Sequence, residues 1–220
     1  KDLPKGLPSG KWGIHDGAVL DWIYDDIMDK TSKGRRWYTT FQTLSSHEPW
    51  IVPYTRLKDD EIANTFAYVD DAIGRFVDRL KKTPAWDSLL IVITGDHGCN
   101  TGQHLPADRY AHIPLLMTGG AVKAPRRIDT IMSQTDTAAT LLGQLGISHD
   151  EFIFSRDVMA ESYTYPFGFH TFVNGFMFRD ATGYTVYDNV SDTATDSPDP
   201  DRERKGRIIL QYLYEDLARR

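Results

Sequence analysis

The chain has 220 residues, 40% hydrophobic and 12% aromatic, which is enough apolar surface for a core and excludes global disorder. Its formal net charge is −6 and its Lys and Arg residues are scattered, so it lacks the basic stripe of a nucleic-acid binder. The single cysteine, Cys99, excludes an intramolecular disulfide, and no run approaches the roughly 20 apolar residues that span a membrane.

Residues 1–11 read as an extended Pro/Gly lead-in. Residues 16–30 place Val19, Leu20, Trp22, Ile23 and Ile27 at helical spacing, with Asp16 as the N-cap. Residues 37–44 alternate and are rich in β-branched and aromatic side chains, which predicts a strand ending in the loop Ser45-Ser46-His47-Glu48-Pro49. The longest helix is predicted over 58–83, with an apolar stripe of Ile62, Phe66, Val69, Ile73, Phe76, Val77 and Leu80, closed by Pro84.

LLIVIT (89–94) is a continuous apolar run after a helix, as a strand buried on both faces reads. Residues 111–120 give a further short strand. Residues 133–146 form a helix capped by Ser133 or Thr135 and stopped by Gly146. Stretches 167–180 and 183–190 look like an antiparallel pair, 191–206 is a polar connector, and 207–220 is a last amphipathic helix. The order implies an α/β fold: a mainly parallel sheet with helices on both faces over 1–160, then a β-hairpin and helix over 161–220. Ligand sites in such sheets collect beyond the carboxyl ends of strands.

The run LLIVITGDHGCNTG puts such an end at Asp96-His97, flanked by Gly95 and Gly98, which permit a tight turn. A carboxylate beside an imidazole suits Zn²⁺ or Mn²⁺ better than Ca²⁺, which prefers oxygen. His47, His104 and His112 fall near the same predicted edge. The plainer alternative is that Asp96 caps a loop and His97 lies on the surface. His15 reads as a packing or helix-start residue, His149 as a turn residue and His170 as a sheet-face residue. Cys99 makes a poor nucleophile, since no Cys/His pair is evident and a nearby carboxylate raises a thiol pKa.

These segments carry a resemblance. LLIVITGDHG is similar to the metal-binding strand end of the alkaline phosphatase and sulfatase superfamily. FQTLSSHEPW (41–50) resembles the "TLSxHxPF" stretch of its lipoteichoic acid synthase-like, phosphoglycerol transferase branch. YVDDAIGRFVDRL (68–80) resembles the long helix before the metal strand, and RYAHIPLLMTGG (109–120) the "R-x-x-hPL" strand. SQTDTAATLLGQLGI (133–147) is similar to "SQxDxxPTLL", FSRDVM (154–159) to "FGRDL", and WGIHDGAVLDW (12–22) to "WGxxD". The segments run in family order over 12–159, and 160–220 match more loosely.

The resemblance implies an alkaline phosphatase-like fold and a phosphoryl-transfer site with a Thr or Ser nucleophile activated by Mn²⁺ or Zn²⁺. Carried over, Asp96 and His97 are metal ligands and His47 contacts the substrate phosphate or leaving group. His104 sits at a second phosphate-site position, Arg109 offsets phosphate charge, and His112 is an additional candidate. The family's early carboxylate and nucleophile turn have no counterpart in these residues. The expectation is therefore the C-terminal portion of a sulfatase-like catalytic domain, 1–220, inactive alone, with its partner the N-terminal half and an exposed sheet edge prone to self-association. The resemblance further implies a membrane-anchored parent with this part on the extracytoplasmic, periplasmic side, acting on a phospholipid-type or sulfate-ester substrate. A sulfatase and a non-catalytic binding module are the alternatives.

Overall fold

The computed structural model describes residues 5–99 and 105–220. The chain divides into two units: the first runs to Thr94 and resumes over Leu115–Pro125, and the second comprises Gly95–Pro114 and Arg126–Arg220.

In the first unit, α1 (Asp16–Ser32) buries Val19, Leu20, Ile23 and Ile27, a spacing that keeps one face inward over about two turns. It packs on α2 (Glu61–Leu80), whose start is capped by Asp60 accepting from the Ala63 amide at 2.9 Å. The buried face of α2 is Thr65, Tyr68, Val69, Ala72, Phe76 and Leu80, so the stripe is rotated from the one expected and Phe66 stands 42% exposed. Small side chains explain the rotation: Thr65 and Ala72 permit close approach, and the Thr65 hydroxyl donates to Ile62 O at 2.8 Å, so burying it leaves no orphan donor. A 3₁₀ turn over Pro84–Ser88 contributes Ala85 to the same core, and Leu89 follows it.

Strand β1 (Ile91–Thr94) pairs with β2 (Leu115–Thr118), and the pairing is antiparallel, Ile91 opposite Thr118 and Thr94 opposite Leu115. This corrects the mainly parallel sheet expected. A parallel return needs a crossover that carries the chain back to the far end of the sheet. Here Thr94 and Leu115 are partners, so the segment between them leaves and re-enters at one end. Its described residues hold a single helical turn, α3 (Ala107–Tyr110). A short apolar run signals burial but not strand direction. Residues 37–44 form no strand among the described residues. Trp37 and Phe41 still turn inward onto the core, so the alternation marks extended backbone without a ladder.

In the second unit, α4 (Asp136–Gln144) precedes an antiparallel meander of β3 (Gly168–Phe172), β4 (Gly175–Asp180), β5 (Gly183–Asp188) and β6 (Thr193–Asp196). The stretch expected as one strand over 167–180 breaks at Val173-Asn174. Asn174 adopts φ 63°, a conformation asparagine tolerates, and this makes a two-residue turn. The next turn is held by Asp180, whose Oδ1 accepts from the Thr182 amide and hydroxyl at 2.9 and 2.6 Å.

The last helix, α5 (Pro200–Arg219), begins seven residues before the expected start. Asp199 caps it by accepting from Arg202 N at 2.9 Å, and Pro200 occupies the first turn, where its missing N–H costs nothing. Gly206 lets α5 settle on the sheet, since a Cβ there would lie 2.0 Å from the Phe176 ring. Phe176, Phe178 and Tyr187 form the core beneath, with Phe176 and Tyr187 stacked at 5.2 Å.

Candidate functional site

The first unit presents His47 on a loop tied to the start of α1. Asp16 is not the N-cap: His15 holds that position, and Asp16 is the first helical residue. The Asp16 carboxylate is fully buried and accepts from the backbone amides of Leu44 and Ser45, each at 2.9 Å. Ser45 Oγ in turn accepts from Asp16 N at 3.0 Å, so a residue far along the chain caps the helix. Gly17 N donates to the Tyr68 hydroxyl at 3.1 Å. Burial pushes that phenol above its ordinary range, so it stays neutral.

Two residues beyond this clamp, the exposed His47 ring lies edge-on to Trp12 at 5.4 Å and stacks on Trp50 at 6.4 Å. Trp12 Nε1 donates to Glu48 O, and Trp50 N donates to His47 O at 3.1 Å. The loop includes a cis Glu48–Pro49 bond and a left-handed Trp50 at φ 62°. Trp12, His15, Ser45, His47 and Pro49 line a shallow hollow here. His15 packs edge-on to Tyr68 at 6.1 Å, the packing role expected of it.

The second unit presents Asp96 and His97, just after β1 in the chain. His97 Nδ1 lies 2.7 Å from Gly98 O. A carbonyl only accepts, so Nδ1 is the donor in this contact, which leaves Nε2 as the nitrogen that the neutral ring can offer to a metal. Nε2 is 3.8 Å from Asp96 Oδ1. Two donors on one tetrahedral Zn²⁺ lie about 3.3–3.5 Å apart, so an adjustment of a few tenths of an ångström would bring both onto one ion. Both side chains are more than half exposed, and Asp96 Oδ1 also accepts from His97 N at 2.9 Å, which sets the turn. Asp96 and His97 fit as a two-donor pair, and among the described residues no cluster of three or more metal-ligating side chains forms.

Gly98 has a steric reason to be glycine. A Cβ there would lie 1.9 Å from the carbonyl oxygen of Tyr110, the last residue of α3. Gly98→Ala is expected to cost about 1–3 kcal/mol in chemical denaturation, because backbone rather than a flexible side chain must move. Unchanged stability would show that the close approach is absent.

Arg109 lies exposed on α3, and His112 is exposed just beyond it, its amide donating to Arg109 O at 3.4 Å. Neither belongs to a metal-ligating cluster among the described residues. His104 lies outside the described residues. Cys99 is a free, half-buried thiol.

The start of α4 supplies what residue-type reasoning missed. Gln134 Nε2 donates to Gly95 O at 2.7 Å, reaching the residue before Asp96. Two residues on, the fully buried Asp136 carboxylate accepts from Ser133 N at 2.7 Å and from Arg156 N and Nε, each at 2.9 Å. Arg156 Nη2 completes the pair at 2.5 Å. Thr135 holds the N-cap position of α4 without a side-chain bond, and Ser133 Oγ instead accepts from Phe169 N at 2.9 Å. SQTD and FSRD carried this ion pair in plain view, Asp136 in the first and Arg156 in the second.

The chain matches the family described as Sulfatase over residues 2–147. It belongs to the sulfatase family. Among curated relatives, phosphoglycerol transferase I of Xanthomonas campestris pv. campestris is 26% identical over 160 residues, 68% of this chain and 23% of that protein. Lipoteichoic acid synthase 2 of Bacillus subtilis is 24% identical over 195 residues, 73% of this chain and 30% of that protein. Arylsulfatase K of Mus musculus is 25% identical over 172 residues, 67% of this chain and 30% of that protein. The chain therefore spans less than a third of these relatives.

The fold is that of the alkaline phosphatase superfamily. A Vibrio parahaemolyticus member superposes with a TM-score of 0.74 at 19% identity, covering 97% of this chain and 58% of that one. The lipoteichoic acid synthase LtaP of Listeria monocytogenes gives a TM-score of 0.72 at 19% identity, covering 96% and 60%.

Proposed function

We propose that this sulfatase-family chain carries the metal-binding end of a phosphoryl-transfer site, of the phosphoglycerol or phosphoethanolamine transferase or phosphodiesterase kind. The observation that carries this reading is the Asp96–His97 pair, with Nδ1 spent on Gly98 O and Nε2 3.8 Å from the Asp96 carboxylate. Asp96 and His97 would hold Mn²⁺ or Zn²⁺, with Ca²⁺ disfavoured by the imidazole. When bound, the ion polarises a phosphoryl oxygen and lowers the pKa of an attacking hydroxyl.

His47 is assigned to the substrate phosphate or leaving group, its ring orientation set by Trp12 and Trp50. His104 and Arg109 are assigned to phosphate charge, with His112 an additional candidate. No residue of this chain takes the nucleophile role, so activity in this reading requires the rest of a catalytic domain.

Sulfate-ester hydrolysis is the second reading, favoured by the match to arylsulfatase K. The reading also carries an extracytoplasmic location for a membrane-anchored parent. Among the described residues no helix is long and apolar enough to cross a membrane.

Calorimetric titration with Mn²⁺ and Zn²⁺ tests the site. The chain is expected to take up metal, and Asp96→Ala to weaken uptake at least about tenfold, as loss of one of two protein ligands should. Equal uptake by both would sink the assignment. A chain extended upstream should then hydrolyse a nitrophenyl phosphodiester, with activity lost in Asp96→Ala. Turnover of nitrophenyl sulfate alone would move the assignment to a sulfatase. Silence on both, with folding intact, would favour a binding module.

A further inference from the structure

We infer that Gln134 is a positioning residue for the Asp96–His97 pair. The role in metal binding rests on the reading above, and the ordering of the turn does not. Gly95 is gripped through both of its backbone groups: its N–H donates to Pro114 O at 3.3 Å, and its carbonyl accepts from Gln134 Nε2 at 2.7 Å. That carbonyl belongs to the peptide plane that also contains Asp96 N. Fixing it fixes the plane from which the Asp96 side chain departs. The turn then closes on itself, His97 N to Asp96 Oδ1 at 2.9 Å and His97 Nδ1 to Gly98 O at 2.7 Å. Asp96 and His97 are more than half exposed, so burial does little to hold them, and ordering falls to bonds of this kind.

Gln134 is itself held on both sides. Ser133 N donates to Asp136 Oδ2 at 2.7 Å, Ser133 Oγ accepts from Phe169 N at 2.9 Å, and Thr137 N donates to Gln134 O at 3.1 Å. Asp136 is locked in turn by Arg156. The backbone of Gln134 is thus anchored to the interior of the second unit, and only its side-chain rotamers are ordered by reaching Gly95. An exposed glutamine at a helix start otherwise reads as solvated. Here it links the buried Asp136–Arg156 pair to the turn that presents the donors.

Gln134→Met keeps the length and removes the donor. The first readout is amide hydrogen exchange in the metal-free chain. The His97 amide is expected to exchange about tenfold faster in Gln134→Met, while amides of β4 keep their rates, the mark of a local opening. Equal His97 rates would overturn the inference. Acceleration shared by β4 would overturn it too, in favour of a general role in stability. The second readout is Co²⁺ binding. Affinity should fall about tenfold, the lower end for loss of a partner outside the ligand set, and the d–d absorption at saturating Co²⁺ should change. Unchanged affinity and spectrum would overturn it. If the parent chain takes up no metal, the metal reading fails and the exchange readout alone decides whether Gln134 orders the turn.

Discussion

Arg156→Met is expected to destabilise the second unit by about 3–5 kcal/mol, the cost of leaving a buried carboxylate without its partner. Asp136 is fully buried and receives four hydrogen bonds, two of them from the Arg156 guanidinium. The substitution leaves the two backbone donors in place and takes away the positive charge. Arg156 also packs its guanidinium 3.5 Å from the Phe167 ring centre and donates to Phe167 O at 2.9 Å, so it fastens the segment leading into β3. Methionine refills part of that volume, which makes the lost charge the main term.

The decisive comparison is a double-mutant cycle with Asp136→Leu, followed by urea denaturation. Each single change should be severe, and the double less so than the sum, because removing both members leaves no uncompensated charge. Additive losses would show that the two residues act independently.

Asp16→Ala is the second large effect. It deprives the Leu44 and Ser45 amides of their acceptor, at about 1–3 kcal/mol for each group left unsatisfied. The expected loss is therefore about 2–6 kcal/mol by denaturation. The change also frees the loop that carries His47, so the Leu44 and Ser45 amides should exchange much faster than those within α2. Protection of both amides in Asp16→Ala would mean that the loop is held by other contacts. Asp16→Asn retains one acceptor oxygen and turns an amide group towards a backbone donor, so it should recover only part of the loss.

The helices were legible because they are local. α1 and α2 follow from the recurrence of apolar residues every three or four positions, and the ends expected lie within three residues of those observed. The start of α5 was legible too, in the Asp199-Pro200 pair, but the polar run 191–206 masked it. Asp96-His97-Gly98 stood out because an apolar strand rarely ends on two metal-ligating side chains. Its internal bonds join neighbours in the chain, so the shape of the turn was legible, whereas its anchorage to Gln134 was not.

What only the tertiary structure decided involves partners far apart in sequence. Strand direction between β1 and β2 depends on where residue 115 re-enters, which no property of either strand encodes. The meander turn at Asn174 splits one alternating run into two strands that pair with each other, Phe172 opposite Gly175. Asp16 looked like an ordinary helix cap, because its type and place suit one. Its partners are 28 and 29 residues away, and that distance turns a cap into the clamp of the His47 loop. Gln134 reaches Gly95 across 39 residues, and Asp136 meets Arg156 across 20. By itself the sequence determined the chemistry on offer and the local shape that presents it. Which buried charge is paired, and which amide holds the donor turn, came from long-range contacts, because a hydrogen bond depends on position in space and not on residue type alone.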